Sequence, residues 1–186
     1  MSCAEVVKEI ARIRDRYRET DPFLLCGEMG IVLLPQPLGR EEDAIKGFYL
    51  CHSRIHTITY NTDLPDVLQR VVVSHELGHA RLHASAGVRA FHDVGLFDES
   101  SRYEKEANLF AAELLLEDEK VLATLNADNT FFSAAASLNV PTELLDFKFR
   151  VMKWKGYKLV EPPITADSGF LKDLKAPEYR AFGDEE

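Results

Sequence analysis

Two histidines and a glutamate lie close together in the sequence HELGH at residues 75–79. On a helix, residues four positions apart lie on one face, so His75 and His79 can direct their imidazoles at one point. Neutral imidazole is a common zinc ligand, with bonds of about 2.0–2.1 Å. Glu76 lies about 100° around the helix from His75, where it can reach a metal-bound water more easily than the metal. The spacing therefore predicts a zinc site with a carboxylate beside it.

Such a site is suited to the hydrolysis of peptide bonds. Zinc lowers the pKa of bound water from 15.7 toward about 7 and polarises a carbonyl group. Glu76 is the expected general base, which accepts the proton and later returns it to the leaving amine. The alternative is a helix whose histidines only pack or face solvent. The setting disfavours that alternative, because the motif follows a β-rich half and precedes a glutamate-bearing helix.

A third metal ligand must come from another part of the chain, because a catalytic zinc usually has three protein ligands and one open position. The next strong helical pattern, over residues 102–116, offers Glu104 and Glu106 just before its apolar face. Spacing favours Glu106 but leaves both residues open. Glu113 lies two turns beyond Glu106 on the same side and is a candidate for a supporting contact.

Several further residues could contribute to the same site. Stabilising a developing oxyanion requires a hydrogen-bond donor, and His92, Arg102 and Tyr103 are candidates on or beside the loop after the active helix. His83 stands one turn after His79. A drift of about 40° per four residues makes a third ligand on one straight helix awkward. We therefore interpret His83 as a packing or hydrogen-bonding neighbour of the site.

The elements that position these residues follow from apolar periodicity and turn signals. The patterns predict an α+β domain over residues 1–157, with a helical C-terminal lobe over about 117–157 and an irregular tail over 158–186. A long loop is expected over residues 84–101. Predicted helices cover residues 3–19, 23–29, 65–83, 102–116, 117–124, 130–138 and 142–154, and predicted strands cover residues 31–34, 47–51 and 54–60.

Two of the predicted strands bear on how a substrate could bind. Residues 31–34 have the composition of a buried strand that stops at Pro35. Residues 55–60 precede the active helix and are rich in β-branched and aromatic side chains. Two interpretations of this second strand stay open: a sheet edge, with which an extended peptide could pair, or an internal strand. We favour the edge.

Charge and composition disfavour several classes of partner. The chain has 22 Lys and Arg residues against 31 Asp and Glu residues, a formal net charge of −9, which disfavours nucleic-acid backbones and anionic membranes. Residues 130–150 faintly resemble a helix-turn-helix but lack the cations that contact phosphates.

The three cysteines show no CxxC spacing and are expected to be free thiols. Without an apolar leader or a long apolar stretch, we expect a cytoplasmic protein.

The sequence resembles the ImmA/IrrE family of metallopeptidases, which share the zincin-like core of thermolysin. The resemblance covers roughly residues 20–150. Its matching segments are ITYN at residues 58–61, VVSHELGHARLH at 72–83, EKEANLFAAELL at 104–115 and AAASLNVPTELL at 134–145.

The resemblance implies a small antiparallel or mixed sheet, an active-site helix, a helical C-terminal lobe and a bound Zn²⁺. It implies that Glu106, directly before the alanine of the second motif, is the third ligand. It also implies a protein substrate, a helix-turn-helix repressor cut to relieve repression in a mobile-element or stress-response locus. The alternatives are a general cytosolic zinc peptidase and a non-catalytic zincin-like binding protein. Retention of Glu76 argues against the second, because docking needs no base beside a metal.

Overall fold

The computed structural model describes residues 3–41, 43–83, 90–93, 96–97, 99, 101–127, 130–160 and 162–163. These residues form an α+β fold, as the sequence predicts. The predicted tail lies outside them from residue 164 onward. The helices are α1 (Cys3–Tyr17), α2 (Pro22–Glu28), α3 (Asp66–Leu82), α4 (Arg102–Leu115), α5 (Asp118–Asn126), α6 (Phe131–Ser137) and α7 (Thr142–Trp154). The strands are β1 (Val32–Gln36), β2 (Gly47–His52), β3 (Ile55–Asn61) and β4 (Ala90–Asp93).

The four strands form a mixed sheet in the order β1-β3-β2-β4. Strand β1 pairs with β3 in parallel, whereas β2 pairs antiparallel with both β3 and β4. The predicted hairpin of β2 and β3 is confirmed. Its two-residue turn places Ser53 and Arg54 at φ values of 51° and 66°, because such turns match the right-handed twist of the paired strands.

Strand β3 lies inside the sheet, so the expectation that it forms an edge was wrong. Its residues Thr57 to Asn61 pair with the whole of β1, and its other side pairs with β2. The parallel partner, β1, lies earlier in the chain, and the alternation of side chains within β3 does not indicate this pairing. Among the described strands, β1 and β4 are the edges.

Strand β1 also differs from the prediction of a buried strand that stops at Pro35. It continues through Pro35 to Gln36, and most of its side chains are exposed. An edge strand tolerates proline because one side of its backbone needs no ladder hydrogen bond. Strand β4 lies within residues 84–101, which were predicted to be a loop, and its backbone pairs with β2.

Helix α3 is the central element of the fold. Every residue from Val71 to Ala80 is buried, because α3 packs on β2 and β3, on α2 and on α4. A β-carbon on Gly78 would lie 3.2 Å from the α-carbon of Ala107 on α4. The absence of a side chain at Gly78 therefore permits the close approach of the two helices that carry the candidate site.

Helices α4, α5 and α7 are joined by a buried ionic cluster. Nζ of Lys148 on α7 lies 2.6 Å from a carboxylate oxygen of Glu113 on α4 and 2.6 Å from one of Asp118 on α5. Lys155 bonds the same two carboxylates. Glu113, a candidate for a supporting contact at the metal site, instead has its carboxylate in this cluster, where it joins α4 to α7. Lys148 is fully buried, so it is inaccessible to a phosphate backbone.

Two smaller features concern the cysteines and the lengths of the helices. All three cysteines are free thiols, with Cys26 buried and Cys3 and Cys51 partly buried. In the part of the chain that the structure describes, no helix has the length and apolar character needed to cross a membrane.

Candidate metal centre

Helix α3 contributes two imidazoles that face each other. The Nε2 atoms of His75 and His79 lie 3.0 Å apart, and both side chains are buried. The four-residue spacing places them one turn apart on the face of α3 that packs against α4. The predicted convergence of these two residues is present.

Helix α4 contributes a carboxylate to the same point. Oε2 of Glu104 lies 3.0 Å from Nε2 of His75 and 3.4 Å from Nε2 of His79. Tetrahedral zinc with bonds of about 2.0–2.1 Å separates its ligand atoms by about 3.3–3.4 Å. Two imidazole nitrogens and one carboxylate oxygen, within 4.8 Å of one another, therefore fit a zinc ion with one position left open.

The structure favours Glu104 over Glu106, the residue that the resemblance implied. Oε2 of Glu106 lies 3.0 Å from Nε2 of His83, and its Oε1 accepts a hydrogen bond of 2.7 Å from Nε of Arg102. Residues two apart on a helix are separated by about 200°, so the two carboxylates cannot point at the same ion. Spacing left both residues open, and the packing of α4 on α3 brings Glu104 to the two histidines.

Asn108 orients the first imidazole. Its Oδ1 lies 2.8 Å from Nδ1 of His75, so a proton on Nδ1 leaves Nε2 free for a metal. Asn108 was not among the residues predicted from the sequence. A usable signal was its spacing, because Asn108 stands four positions after Glu104 and therefore shares its helix face.

His83 lies directly behind the second imidazole. Its Nδ1 is 3.0 Å from Nδ1 of His79, and the ring of Tyr103 packs edge-on against it with centroids 4.9 Å apart. His83 is buried and lies outside the set of three converging ligand atoms. This arrangement agrees with the interpretation of His83 as a hydrogen-bonding neighbour.

Burial and hydrogen bonding together determine the charges of His79 and Glu104. Desolvation lowers the pKa of His79 to about 4, although its hydrogen bond to Glu104 opposes this shift. Burial alone would raise the pKa of Glu104, but hydrogen bonds from His75 and His79 more than offset it, so that pKa is lowered. At neutral pH, His79 is therefore neutral and Glu104 is ionised, which are the forms that bind metal.

The proposed base, Glu76, is fully buried between α3 and the sheet. Its Cγ would lie 3.6 Å from a β-carbon on Gly47, the first residue of β2. The same β-carbon would lie 2.4 Å from Cγ1 of Val72. Gly47 therefore leaves the space in which α3 and the Glu76 side chain approach β2.

The three candidate oxyanion donors have different positions. Arg102 pairs with Glu106, and its side chain is 70% exposed. Tyr103 contacts His83 and is partly exposed. His92 lies on β4 with its backbone opposite Phe48, but its side chain lies outside the described part of the protein. A role for Tyr103 or His92 in catalysis stays a prediction.

Comparisons with known proteins give the family of this chain. The family model of the IrrE N-terminal-like domain, Peptidase M78, matches residues 26–150. The chain is also similar to uncharacterized immunity region protein 2 of Bacillus phage phi105, with 36% identity over 139 residues that cover 75% of this chain and 85% of the relative. The residues matched by the family model include α3 and α4, which carry the converging ligands. The chain therefore belongs to the IrrE N-terminal-like family of M78 metallopeptidases, as the resemblance to ImmA/IrrE proteins predicted.

Proposed function

We propose that the protein is a zinc-dependent endopeptidase with His75, His79 and Glu104 as metal ligands and Glu76 as general base. The convergence of two buried Nε2 atoms and one carboxylate oxygen supports this proposal most directly. Three ligands of this type leave a fourth position for water or substrate, as catalytic zinc sites require.

Each residue has a distinct task in the proposed reaction. Zinc held by the three ligands would supply a Lewis acid that acidifies water and polarises the scissile carbonyl. The carboxylate of Glu76 accepts the proton lost by the attacking water and transfers it to the departing amine nitrogen. Glu76 directly follows His75 on α3, and its side chain is fully buried.

We further propose that the substrate is a helix-turn-helix transcriptional repressor and that its cleavage relieves repression in a mobile-element or stress-response locus. Similarity to a phage protein named for an immunity region supports this assignment. A repressor of this kind acts in the cytoplasm, where we expect the enzyme to meet it. The net charge of −9 favours contact with the protein partner over the DNA that the partner binds.

The test compares purified wild-type protein with two variants, using a repressor encoded beside the gene as substrate. Glu76→Gln is expected to keep zinc and lose cleavage by at least about 100-fold, because the base is removed while the ligands remain. His79→Ala is expected to lose both zinc and cleavage. Glu28→Gln and His52→Ala make similar changes at exposed positions and should alter neither.

The outcome separates the proposal from its two alternatives. A single defined cut in the repressor supports a selective endopeptidase, whereas broad degradation of casein indicates a general cytosolic peptidase. If Glu76→Gln still relieves repression in cells, the protein acts by docking and the proteolytic account fails.

A further inference from the structure

A buried chain of hydrogen-bonding groups runs from the second zinc ligand to the surface. Nδ1 of His79 is within hydrogen-bonding distance of Nδ1 of His83, and Nε2 of His83 is within hydrogen-bonding distance of Oε2 of Glu106. Nε of Arg102 donates to Oε1 of Glu106. The three separations are 3.0, 3.0 and 2.7 Å. His79, His83 and Glu106 are each at most 4% exposed.

The donor and acceptor roles along this chain are interdependent. If Nε2 of His79 binds a metal, Nδ1 of His79 carries the proton and must donate it. Nδ1 of His83 is then the acceptor, so His83 carries its own proton on Nε2 and donates to Glu106. Glu106 accepts through Oε2, and the guanidinium of Arg102 donates a further hydrogen bond to its Oε1. In this direction, each of these groups has a partner of the correct kind.

We propose that Glu106 is a positioning residue, which acts through His83 to fix the tautomer and the ring orientation of His79. This inference rests on the proposed zinc site and assigns Glu106 a role different from that of a ligand. Hydrogen bonds behind a ligating imidazole fix its orientation and raise its basicity, and losing them typically costs 10–100-fold in metal affinity. His75 receives the same support from Asn108 in one step.

The surroundings of His83 hold it in this role. Its backbone N–H donates to the carbonyl of His79 at the end of α3, over 2.9 Å. The Tyr103 ring packs edge-on against the imidazole with an interplanar angle of 71°. The His83 ring is therefore held by backbone and packing contacts in addition to its two polar contacts.

The test measures zinc affinity by competition with a chromophoric chelator. His83→Ala and Glu106→Ala are expected to weaken zinc binding by about 10–100-fold. His83→Gln should restore most of the loss, because its amide can accept from His79 and donate to Glu106. His52→Ala and Glu28→Ala are controls at exposed positions. Circular dichroism of each metal-free variant identifies any that fail to fold.

A spectroscopic readout tests the direction of the chain. In the zinc-loaded wild type, two-bond ¹H–¹⁵N correlations should show His83 with its proton on Nε2, and Glu106→Ala should give a mixture of tautomers. A His83 proton on Nδ1, or unchanged zinc affinity in folded His83→Ala, would contradict the positioning role of Glu106 and leave the proposed function intact. A wild-type protein that binds no zinc overturns both.

Discussion

The α-carbon of Ala107 lies 3.2 Å from the position that a β-carbon on Gly78 would occupy, and the side chain of Phe110 lies equally close. At this contact α3 and α4 approach each other. Gly78 lies between His75 and His79 along α3, and Ala107 lies three residues after Glu104 on α4. The distance between these helices therefore determines whether Glu104 reaches His75 and His79.

Replacing Gly78 by alanine is expected to destabilise the protein by about 1–3 kcal/mol, because overpacking a buried contact outweighs the gain in helix propensity. Zinc affinity should fall with stability, since Glu104 moves away from the histidines. Gly27→Ala is the matched control, because a β-carbon there meets no atom within 4 Å. It should leave stability equal or higher by up to about 1 kcal/mol. Urea unfolding measures both, and a Gly78→Ala variant as stable as wild type would contradict the packing argument.

Glu104 and Glu106 on α4 should differ in their effect on zinc binding. Glu104→Gln removes a proposed ligand and is expected to weaken zinc by more than the 10–100-fold typical of groups behind the ligands. Glu106→Gln keeps an acceptor for His83 and should lose less than Glu106→Ala. Competition with a chelator ranks the variants. A larger loss for Glu106→Gln than for Glu104→Gln would restore Glu106 as the third ligand.

The metal-free protein should lose stability as the pH falls from about 6.5 to about 4, because burial lowers the pKa of His79 to about 4 from its ordinary 6.5. The folded protein therefore binds fewer protons than the unfolded chain in that pH range. The contribution of His79 to the free energy of unfolding is fully present only above about pH 6.5. One histidine contributes a slope of at most about 1.4 kcal/mol per pH unit. The lowered pKa of Glu104 adds a loss only below its ordinary value of 4.5.

Urea unfolding in a chelating buffer across this pH range measures the slope. His79→Gln should flatten it, and His52→Gln at an exposed position should leave it unchanged. A slope that persists unchanged in His79→Gln would assign the pH dependence to other groups.

Replacing Lys148 by methionine should destabilise the fold by about 3–5 kcal/mol, because it leaves the carboxylates of Glu113 and Asp118 with one fewer buried cation. Lys155 still contacts both carboxylates, so we expect the lower end of that range. Lys8→Met on the exposed face of α1 should change stability by less than about 0.5 kcal/mol. Chemical denaturation is the measurement, and equal stability of the two variants would show that the cluster contributes nothing.

Local pattern predicted the elements that carry the site. The four-residue spacing of His75 and His79 requires only a helix to bring their rings together, and apolar periodicity identifies that helix. The hairpin of β2 and β3 and the C-terminal helices follow in the same way, because their signals lie within a few residues along the chain. The motifs also identified the family before any fold was known.

Tertiary packing decided which residues meet across elements. Whether Glu104 or Glu106 reaches the histidines depends on how α4 is rotated against α3 at Gly78, and spacing along α4 carries no information on that rotation. The parallel pairing of β1 that makes β3 internal is likewise a contact between distant segments. Sequence pattern determines what each element is, because its causes are local. The set of side chains that meet at the candidate metal centre depends on the packing angle between two helices, and only the folded chain sets that angle.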